Sequence, residues 1–450
     1  MIKKYSLKFW IIFWLVSAIV LSGWYFFLQL KKSGIETITS VVDFLPADPE
    51  AKEEYKTLIS LADYLLKKDS KEKVFLVLFQ NNLEIRPGGG FIGSFGILKI
   101  KDGSVSEFGI HDTGNFDGRI PNEVEAPYPI KETLHVNFWK LRDSNFSPDF
   151  PINAKKAEEF YYLGQGEEKF DGIIGITANV LTSFLKATGP IELEGFPGTY
   201  KDKDAIVALE YQVEKAFEEQ GISRGERKSI MNVLGEKILK KVFTLSNSQK
   251  FELAKIILED LHKKDIQIYS KNNILQEKIQ KANWGGEMDQ NWNQDYLLLI
   301  DANLGAFKSD YYIKRSFDYQ IDLTGEKPKA VLKITYKHTA TQKDFMTKDY
   351  LSYLRVYVPE GAWLDQSENF DNPKFGKEFR KTYFGSIIKV PLNSEKTVTL
   401  EYSLPKEIEN DYNLKIQKQA GINDVPVVVH IIDAQGKKDF NYTLNSDLAL

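Results

Sequence analysis

Five arginines between residues 86 and 227 have side chains suited to binding an anion. A guanidinium group binds phosphate or carboxylate through two parallel hydrogen bonds, a geometry that lysine cannot offer. Lysine is the commoner base in this sequence, so these positions stand out. For each of them the alternative is a structural salt bridge with a neighbouring carboxylate. The five are Arg86, Arg119, Arg142, Arg224 and Arg227.

Four aspartates lie in the same predicted loops and could hold Mg²⁺, which prefers oxygen ligands. Two of them belong to the segment LRDSNFSPDFP, residues 141–151, whose prolines predict a rigid polar loop ahead of a helix. Asp149 suits the N-cap of that helix as well as it suits a binding site, and the sequence leaves both roles open. The four are Asp112, Asp117, Asp143 and Asp149.

The glycine-rich stretch GGGFIG, residues 88–93, matches the dinucleotide-binding pattern G-x-G-x-x-G. That pattern must open a helix, whose N-terminus holds the pyrophosphate. Here the residues FIGSFGILKI predict a strand instead, which argues against a dinucleotide site. Two alternatives stay open. One is a tight turn that another part of the chain approaches closely, and the other is a loop whose backbone amides line a ligand pocket beside Arg86.

Composition excludes several classes of chemistry. The 450 residues contain no cysteine, which rules out disulfides, thiolate metal sites, cysteine nucleophiles and lipid-modified cysteines. No two of the five histidines stand at zinc-ligand spacing. The net charge of −4 gives no electrostatic case for nucleic acid, so we expect no nucleic-acid partner.

An apolar run at residues 9–28 predicts a transmembrane helix. About twenty residues span the hydrocarbon core of a bilayer, roughly 30 Å thick. No signal-peptide cleavage pattern follows, so we expect an uncleaved signal anchor in residues 1–32, with a cleaved signal peptide as the alternative. More lysines precede the run than follow it. This bias predicts a single-pass cell-membrane protein with a cytoplasmic N-terminus and its bulk outside the cytoplasm.

The remaining sequence predicts two domains after a helical linker at residues 33–70. Alternating helix and strand patterns predict an α/β domain over residues 71–292, a mixed sheet with helices. Its first strand, VFLVLFQ at 74–80, is apolar throughout, so we expect both of its faces to be buried. Seven or eight strand-like runs follow in residues 293–450 without helical periodicity. They predict an all-β, antiparallel, immunoglobulin-like sandwich.

Four segments together resemble the bacterial family known as domain of unknown function 4012. The resemblance runs from about residue 71 to residue 420. It implies a membrane-anchored extracytoplasmic protein and no particular activity. The segments are NNLEIRPGGGFIGSFG, LRDSNFSPDFPINA, FDGIIGITANVLTSFLKATGPIEL and DANLGAFKSDYYIKR.

The order of elements in the α/β domain is also similar to the LytR-CpsA-Psr family, which transfers glycans from polyprenyl-pyrophosphate lipids to the cell wall. GIHDTGNFDGRIP and FDGIIGITANVLTSFLKATGPIEL carry this likeness, followed by a helix and a late arginine pair. The resemblance implies that Asp112 is catalytic and that Arg224 and Arg227 bind pyrophosphate. On this hypothesis Arg86 and Arg142 complete the pyrophosphate clamp. The metal would be Mg²⁺, held by Asp112, Asp143 or Asp149.

The sequence departs from the LytR-CpsA-Psr pattern at two positions. His111 stands where that family has an arginine. The metal-binding aspartate of the family falls in the glycine-rich stretch, where this chain has no carboxylate. Because phosphoryl transfer depends on positioned charge neutralisation, the loss of a metal ligand would cripple the activity unless another aspartate replaced it.

Two functions fit these features. The departures favour a non-catalytic envelope module that binds a glycan or a protein, with the sandwich as its recognition or spacing domain. The alternative is a LytR-CpsA-Psr-like transferase that moves a glycan from a polyprenyl-pyrophosphate lipid to the cell wall. A transferase would gather the arginines and aspartates in one pocket beside an apolar groove for the lipid. Scattered salt bridges would favour the binding module.

Overall fold

The computed structural model describes residue 42, residues 48–409 and residues 412–450. The predicted membrane anchor at residues 9–28 lies outside these ranges, so its span and orientation stay predictions. Within the described ranges, no helix is both long and apolar enough to cross a bilayer.

A five-stranded mixed sheet, here called sheet A, forms the centre of the α/β domain. Its strands are β1 (Lys73–Asn81), β2 (Phe91–Lys101), β3 (Ser104–Asp112), β4 (Gly172–Thr177) and β7 (Ile266–Ser270), while β5 (Ile191–Leu193) and β6 (Phe196–Tyr200) form a separate hairpin. The order in sheet A is β3-β2-β1-β4-β7. Only the central pair β1 and β4 is parallel; the other neighbours are antiparallel. A tight turn at residues 101–103 joins β2 to β3.

Helices cover both faces of sheet A, and most were predicted from apolar periodicity. They are α1 (Pro49–Leu66), α2 (Thr113–Asp117), α3 (Ile130–Leu134), α4 (Phe150–Leu163), α5 (Asn179–Thr188), α6 (Ala205–Tyr211), α7 (Phe217–Glu219), α8 (Ser229–Thr244), α9 (Asn247–His262) and α10 (Asn273–Lys281). Thr57 of α1 donates to the carbonyl of Lys278 in α10 at 3.1 Å, and the Lys278 ammonium donates to Ser60 at 2.7 Å. From residue 49 onward, the segment predicted as a linker therefore packs onto the α/β domain.

The two faces of sheet A are packed differently. On one face, Leu76 and Leu78 of β1 join Ile173 of β4 and the buried residues of α4 in a single hydrophobic cluster. On the other face, α5, α6 and α8 share a hydrophobic cluster of their own that contains no residue of sheet A. Both faces of β1 are buried as predicted, since Leu76 is 0% and Val77 3% exposed. The second face nevertheless borders a cavity.

The C-terminal domain is a sandwich of two six-stranded sheets around one hydrophobic core. Its strands are β8 (Asp295–Asn303), β9 (Ile313–Asp322), β10 (Lys329–His338), β11 (Tyr350–Pro359), β12 (Trp363–Glu368), β13 (Lys374–Glu378), β14 (Lys381–Val390), β15 (Glu395–Ser403), β16 (Leu414–Gln417), β17 (Val425–Asp433), β18 (Gly436–Leu444) and β19 (Leu448–Ala449). The sheet orders are β12-β15-β10-β9-β17-β18 and β13-β14-β11-β8-β16-β19.

The prediction of a wholly antiparallel sandwich is wrong at one pair in each sheet. β16 pairs parallel with β8, and β17 pairs parallel with β9. Each late strand lies beside a strand more than a hundred residues earlier in the chain. Such long connections allow the parallel direction, which a tight hairpin does not.

The glycine-rich stretch forms a tight turn that other backbone approaches closely. Gly90 has φ +155°, and a Cβ added there would stand 2.4 Å from the carbonyl carbon of Asn81. The amide of Asn145 donates to the Gly90 carbonyl at 2.6 Å and holds the turn against the 141–151 loop. β2 rather than a helix follows the turn, so the predicted strand is confirmed, and the helix N-terminus that a dinucleotide pattern requires does not follow these glycines.

Arg86, in the same turn, joins the two domains. Its side chain is 1% exposed and donates from Nε to Asp143 at 2.8 Å and from Nη2 to Glu84 at 2.9 Å. Nη1 donates at 2.7 Å to the carbonyl of Asn303, the last residue of β8 in the sandwich. A buried charge is tolerated only when it is paired and hydrogen-bonded, so this guanidinium fixes the sandwich to the α/β domain.

Arg86→Met should lower the free energy of unfolding by about 3–5 kcal/mol, because Glu84 and Asp143 would keep buried charge without a cation. Arg224→Met is the matched control, since Arg224 is exposed and makes no hydrogen bond or ion pair with the described residues. It should change stability by less than about 0.5 kcal/mol. Urea denaturation followed by circular dichroism measures both variants. Equal effects of the two substitutions would contradict a locking role for Arg86.

Candidate functional site

A cavity of about 420 Å³ lies between sheet A and the helices α5, α6 and α8. This volume is within the range of small-molecule sites. Strand side chains alternate between the two faces of a sheet, so Val77 and Phe79 of β1 and Ile174 and Ile176 of β4 line the cavity from the same face. Its apolar wall includes Val77, Phe79, Ile174, Ile176, Val180, Leu181, Phe184, Leu209, Met231, Leu234 and Ile238. The cavity, hereafter the apolar cavity, therefore suits a hydrocarbon ligand.

Six charged side chains line part of the same cavity. Ion pairs join four of them, which form the charged cluster: Glu210, Glu214, Arg227 and Lys308. The other two are Glu84 and Lys228. The Lys308 ammonium lies 2.9 Å from Glu214 Oε1 and 3.6 Å from Glu210 Oε2. Arg227 Nη1 lies 2.8 Å from the other oxygen of Glu214. Lys308 belongs to the sandwich and the other three to the α/β domain, so both domains build the charged cluster.

The two glutamates are placed by an irregular helix. Glu210 is the second-last residue of α6, and Glu214 lies in the π-helical segment Gln212–Ala216 that continues it. Residues four apart face the same side of a helix, which brings both carboxylates to Lys308. The side-chain amides of Gln212 and Gln220 exchange two hydrogen bonds, of 2.7 and 2.8 Å, across the irregular turn. π-Helical segments occur frequently at functional sites.

Burial and pairing act against each other in the charged cluster. Burial raises the pKa of Glu210, and Lys308 offsets this only in part. Burial would also raise the pKa of Glu214, but Lys308 and Arg227 outweigh it and lower that pKa. Burial would lower the pKa of Lys308, whereas Glu210 and Glu214 raise it. The two glutamates therefore keep Lys308 charged at neutral pH, and the cluster can present Lys308 together with Arg227 to an anion.

Asp112 adjoins the apolar cavity through Lys228. Its Oδ2 lies 2.7 Å from the Lys228 ammonium, and its Oδ1 accepts from the Asn115 amide at 2.7 Å, which caps α2. Lys228 lines the cavity and also donates to the Gly93 carbonyl at 2.5 Å. Burial would raise the pKa of Asp112, but Lys228 and the Asn115 hydrogen bond lower it overall. Asp112 is thus held as a carboxylate beside the site.

The structure does not bring the four predicted clamp arginines together. Arg227 lines the apolar cavity. Arg86 is enclosed at the domain junction, and Arg142 Nε is bound to Asp117 at 2.5 Å. Arg224 is exposed on the turn before α8. Of the predicted anion-binding arginines, Arg227 is the one placed to meet a ligand in the cavity.

The three aspartates predicted to hold Mg²⁺ are likewise separate. Asp112 is bound to Lys228 and Asp143 to Arg86. Asp149 accepts from Ile152 and Met288 backbone amides at 3.3 and 3.1 Å, which shows its capping role. Among the described residues, no group of three or more His, Asp or Glu side chains could hold a metal ion. The carboxylates present do not fit a shared magnesium site, and magnesium binding stays a prediction.

Sequence reasoning missed Lys228, Lys308, Glu210 and Glu214. Lysine and glutamate are common in this chain, and neither stood in a recognisable motif. One signal was present in part: Glu210 and Glu214 stand four residues apart on a predicted helix just before Arg227. Lys308 had no such signal, because it reaches the cavity from the other domain.

A family model described as a protein of unknown function, DUF4012, matches residues 70–213. This confirms the resemblance found in the sequence. The matched range covers sheet A up to β4, the 141–151 loop and α6, and it stops before the sandwich. No match appears among proteins of curated function.

Solved structures give distant likenesses. The Lin1025 protein from Listeria innocua is 12% identical, with a TM-score of 0.28, covering 48% of this chain and 80% of its own. TagV from B. subtilis is 11% identical, with a TM-score of 0.28, covering 48% and 81%. Aminopeptidase A from Legionella pneumophila is 16% identical, with a TM-score of 0.19, covering 30% and 17%. Scores this low carry no argument about activity.

Asp112→Asn should separate charge from capping, because asparagine still caps a helix. The lowered pKa means that ionised Asp112 adds stability above its unfolded-state pKa, and this contribution is lost as the pH falls through the folded-state pKa. We expect the variant to be about 1 kcal/mol less stable near neutral pH, with a smaller difference near about pH 3. Urea denaturation at both pH values measures this. A difference that does not change with pH would contradict it.

Proposed function

We propose that this is a membrane-anchored cell-envelope protein whose α/β domain binds a lipid-linked glycan by its hydrocarbon chain. The observation that supports this most directly is the apolar cavity between sheet A and α5, α6 and α8. Burial of apolar surface stabilises by about 25 cal/mol per Å², so such a wall favours a long hydrocarbon chain over a sugar. The polyprenyl-pyrophosphate class supplies that chain.

The charged cluster supports a phosphate-bearing head group at the same site. Arg227 and Lys308 both stay cationic, and Glu214 binds each of them. A pyrophosphate would compete with Glu214 for these two cations, since charge-assisted hydrogen bonds to phosphate are among the strong ones. Lys228, which also lines the cavity, adds a third cation nearby.

The predicted anchor at residues 9–28 agrees with this function. A single span would keep the cavity close to the bilayer, where polyprenyl lipids reside. The concentration of such a ligand is then set by the membrane surface rather than by the surrounding solution.

Leu209→Trp should weaken binding of geranylgeranyl pyrophosphate by about tenfold or more, because the indole would fill space meant for the hydrocarbon. Ile257→Trp is the matched control, since Ile257 is 40% exposed on α9 and outside the cavity lining. The full chain in phospholipid nanodiscs would be titrated by calorimetry. No binding to the wild-type chain, or equal binding by both variants, would overturn the proposal.

Arg227→Met and Lys308→Met should each lower the affinity for geranylgeranyl pyrophosphate by about tenfold, or ~1.4 kcal/mol. Neither should change the affinity for geranylgeraniol, which has the same chain and no charge. The same calorimetric titration with the alcohol provides the comparison. Equal losses for both ligands would show that the substitutions disturb the cavity rather than a head-group contact.

A transferase of the LytR-CpsA-Psr type is the second candidate. One observation favours it: Asp112 and Arg227, two residues implied by that resemblance, both lie at the apolar cavity or directly beside it. A transfer reaction would release polyprenyl phosphate from a lipid-linked glycan when cell-wall polymer is added. We expect binding without release, because the carboxylates of the described residues do not gather as a metal site. The release of polyprenyl phosphate would be measured in the presence and in the absence of Mg²⁺. Release by the wild-type chain under either condition, and no release by Arg227→Met, would establish the transferase instead.

A further inference from the structure

A second cavity, of about 440 Å³, lies in the sandwich domain. The segment QNWNQ, residues 290–294, forms one wall. Pro359, Glu360, Arg380 and the chain around Pro405 form the rest. The proposed binding of a hydrocarbon chain and its head group in the α/β domain does not use this space. It is hereafter the amide cavity.

The backbone of the QNWNQ segment is held firmly. The Asp289 carboxylate accepts from the amides of Asn291 at 3.0 Å and Trp292 at 3.1 Å, and Lys415 binds the same carboxylate. The Trp292 indole donates to the Asp295 carbonyl at 2.7 Å, and the Lys381 ammonium donates to the Trp292 carbonyl at 3.0 Å. These contacts pre-organise the segment without using its amide side chains.

The amide side chains of this wall are free. Gln290, Asn291, Asn293 and Gln294 make no side-chain hydrogen bond with the described residues. The Gln294 side-chain oxygen is buried as well, and it has no partner. Buried polar atoms are almost always hydrogen-bonded, so one without a partner at a cavity wall indicates a ligand position.

Arg380 reaches the cavity from a strained turn. Glu378 and Lys381 are paired at the end of the β13–β14 hairpin, so Phe379 and Arg380 form a two-residue turn. Both have φ +55°, a geometry that usually selects asparagine and glycine. The strain is on the order of 1 kcal/mol per residue. Phe379 packs against the cluster of Met288 and its neighbours, while Arg380 lines the cavity without an ion pair among the described residues. Strain that persists at such a place points to function.

Trp363 is a near neighbour of residues of the amide cavity, both in sequence and through strand pairing. It begins β12, three residues after Glu360, and its register partner Ser403 is two residues before Pro405. The indole is 73% exposed, the most exposed large apolar side chain of the described residues. An exposed indole beside a polar cavity offers a flat apolar surface on which a ring can stack.

We propose that the amide cavity and Trp363 form a binding site for a neutral oligosaccharide. Each amide offers two donors and one acceptor, which match hydroxyl and acetamido groups. The indole suits the apolar face of a pyranose ring. The lining holds two carboxylates, Glu360 and Glu407, against the single cation Arg380, which disfavours an anionic ligand. This site is independent of the apolar cavity, and either proposal can fail alone.

Chitotetraose, a neutral tetrasaccharide with acetamido groups, is the probe. The full chain in nanodiscs would be titrated by calorimetry, with no lipid ligand present. Trp363→Ala and the double variant Asn293→Ala with Gln294→Ala should each weaken binding by about tenfold or more. Phe375→Ala and Asn441→Ala are the matched controls, because both residues are exposed and lie outside the cavity lining. Their affinities should equal that of the wild-type chain.

Three results would overturn the proposal. The first is no binding of chitotetraose at about 10 mM, well above the weakest useful affinities. The second is binding that the site variants leave unchanged. The third is binding of penta-alanine that the same variants abolish, which would assign the site to peptides. Circular dichroism of each variant confirms that it folds, so loss of binding can be attributed to the site.

Discussion

The buried guanidinium of Arg86 is the interaction on which the arrangement of the molecule depends. It faces two carboxylates of the α/β domain and a carbonyl of the sandwich, with almost no exposure to water. Separating the domains would remove the carbonyl partner of the Arg86 guanidinium and disturb its buried ion pairs. Breaking a buried ion pair of this kind costs several kcal/mol. The same junction places Asp310 against the Ile85 amide at 3.0 Å. Because Lys308 lies two residues before Asp310, the junction also fixes Lys308 in the charged cluster.

The order of helices and strands follows from residue patterns, whereas the spaces between them do not. Apolar periodicity predicts α1, α4 and α5, because each buries a regular face, and a continuous apolar run predicts the central strand β1. The sequence of β1 would be equally apolar whether its second face bordered a cavity or packed directly on helices. Only tertiary packing separates the cluster of α5, α6 and α8 from sheet A and leaves the apolar cavity between them. The parallel pairs of the sandwich depend on long-range pairing, to which a local pattern is blind.

The candidate site shows the same division between residue type and position. Choosing arginines by their rarity identified Arg227, but it also selected Arg86 and Arg142, which Asp143 and Asp117 neutralise. Arginine suits a buried structural pair and a phosphate site equally well, so its type alone cannot separate the two roles. Lys308 shows the converse. It is a common residue type on a loop of the second domain, and its role depends entirely on the domain junction.

The two proposed sites differ in a way that would suit the two ends of a lipid-linked glycan. The apolar cavity has a hydrocarbon wall beside the charged cluster, whereas the amide cavity is lined by amide side chains and an indole. They lie in different domains that Arg86 holds together, so their separation is fixed rather than set by a flexible linker. A fixed separation raises the effective concentration of a second contact only for a ligand long enough to span it. A glycan chain would meet that requirement only if it reached from one cavity to the other. The rigid junction would therefore select for length as well as for chemistry.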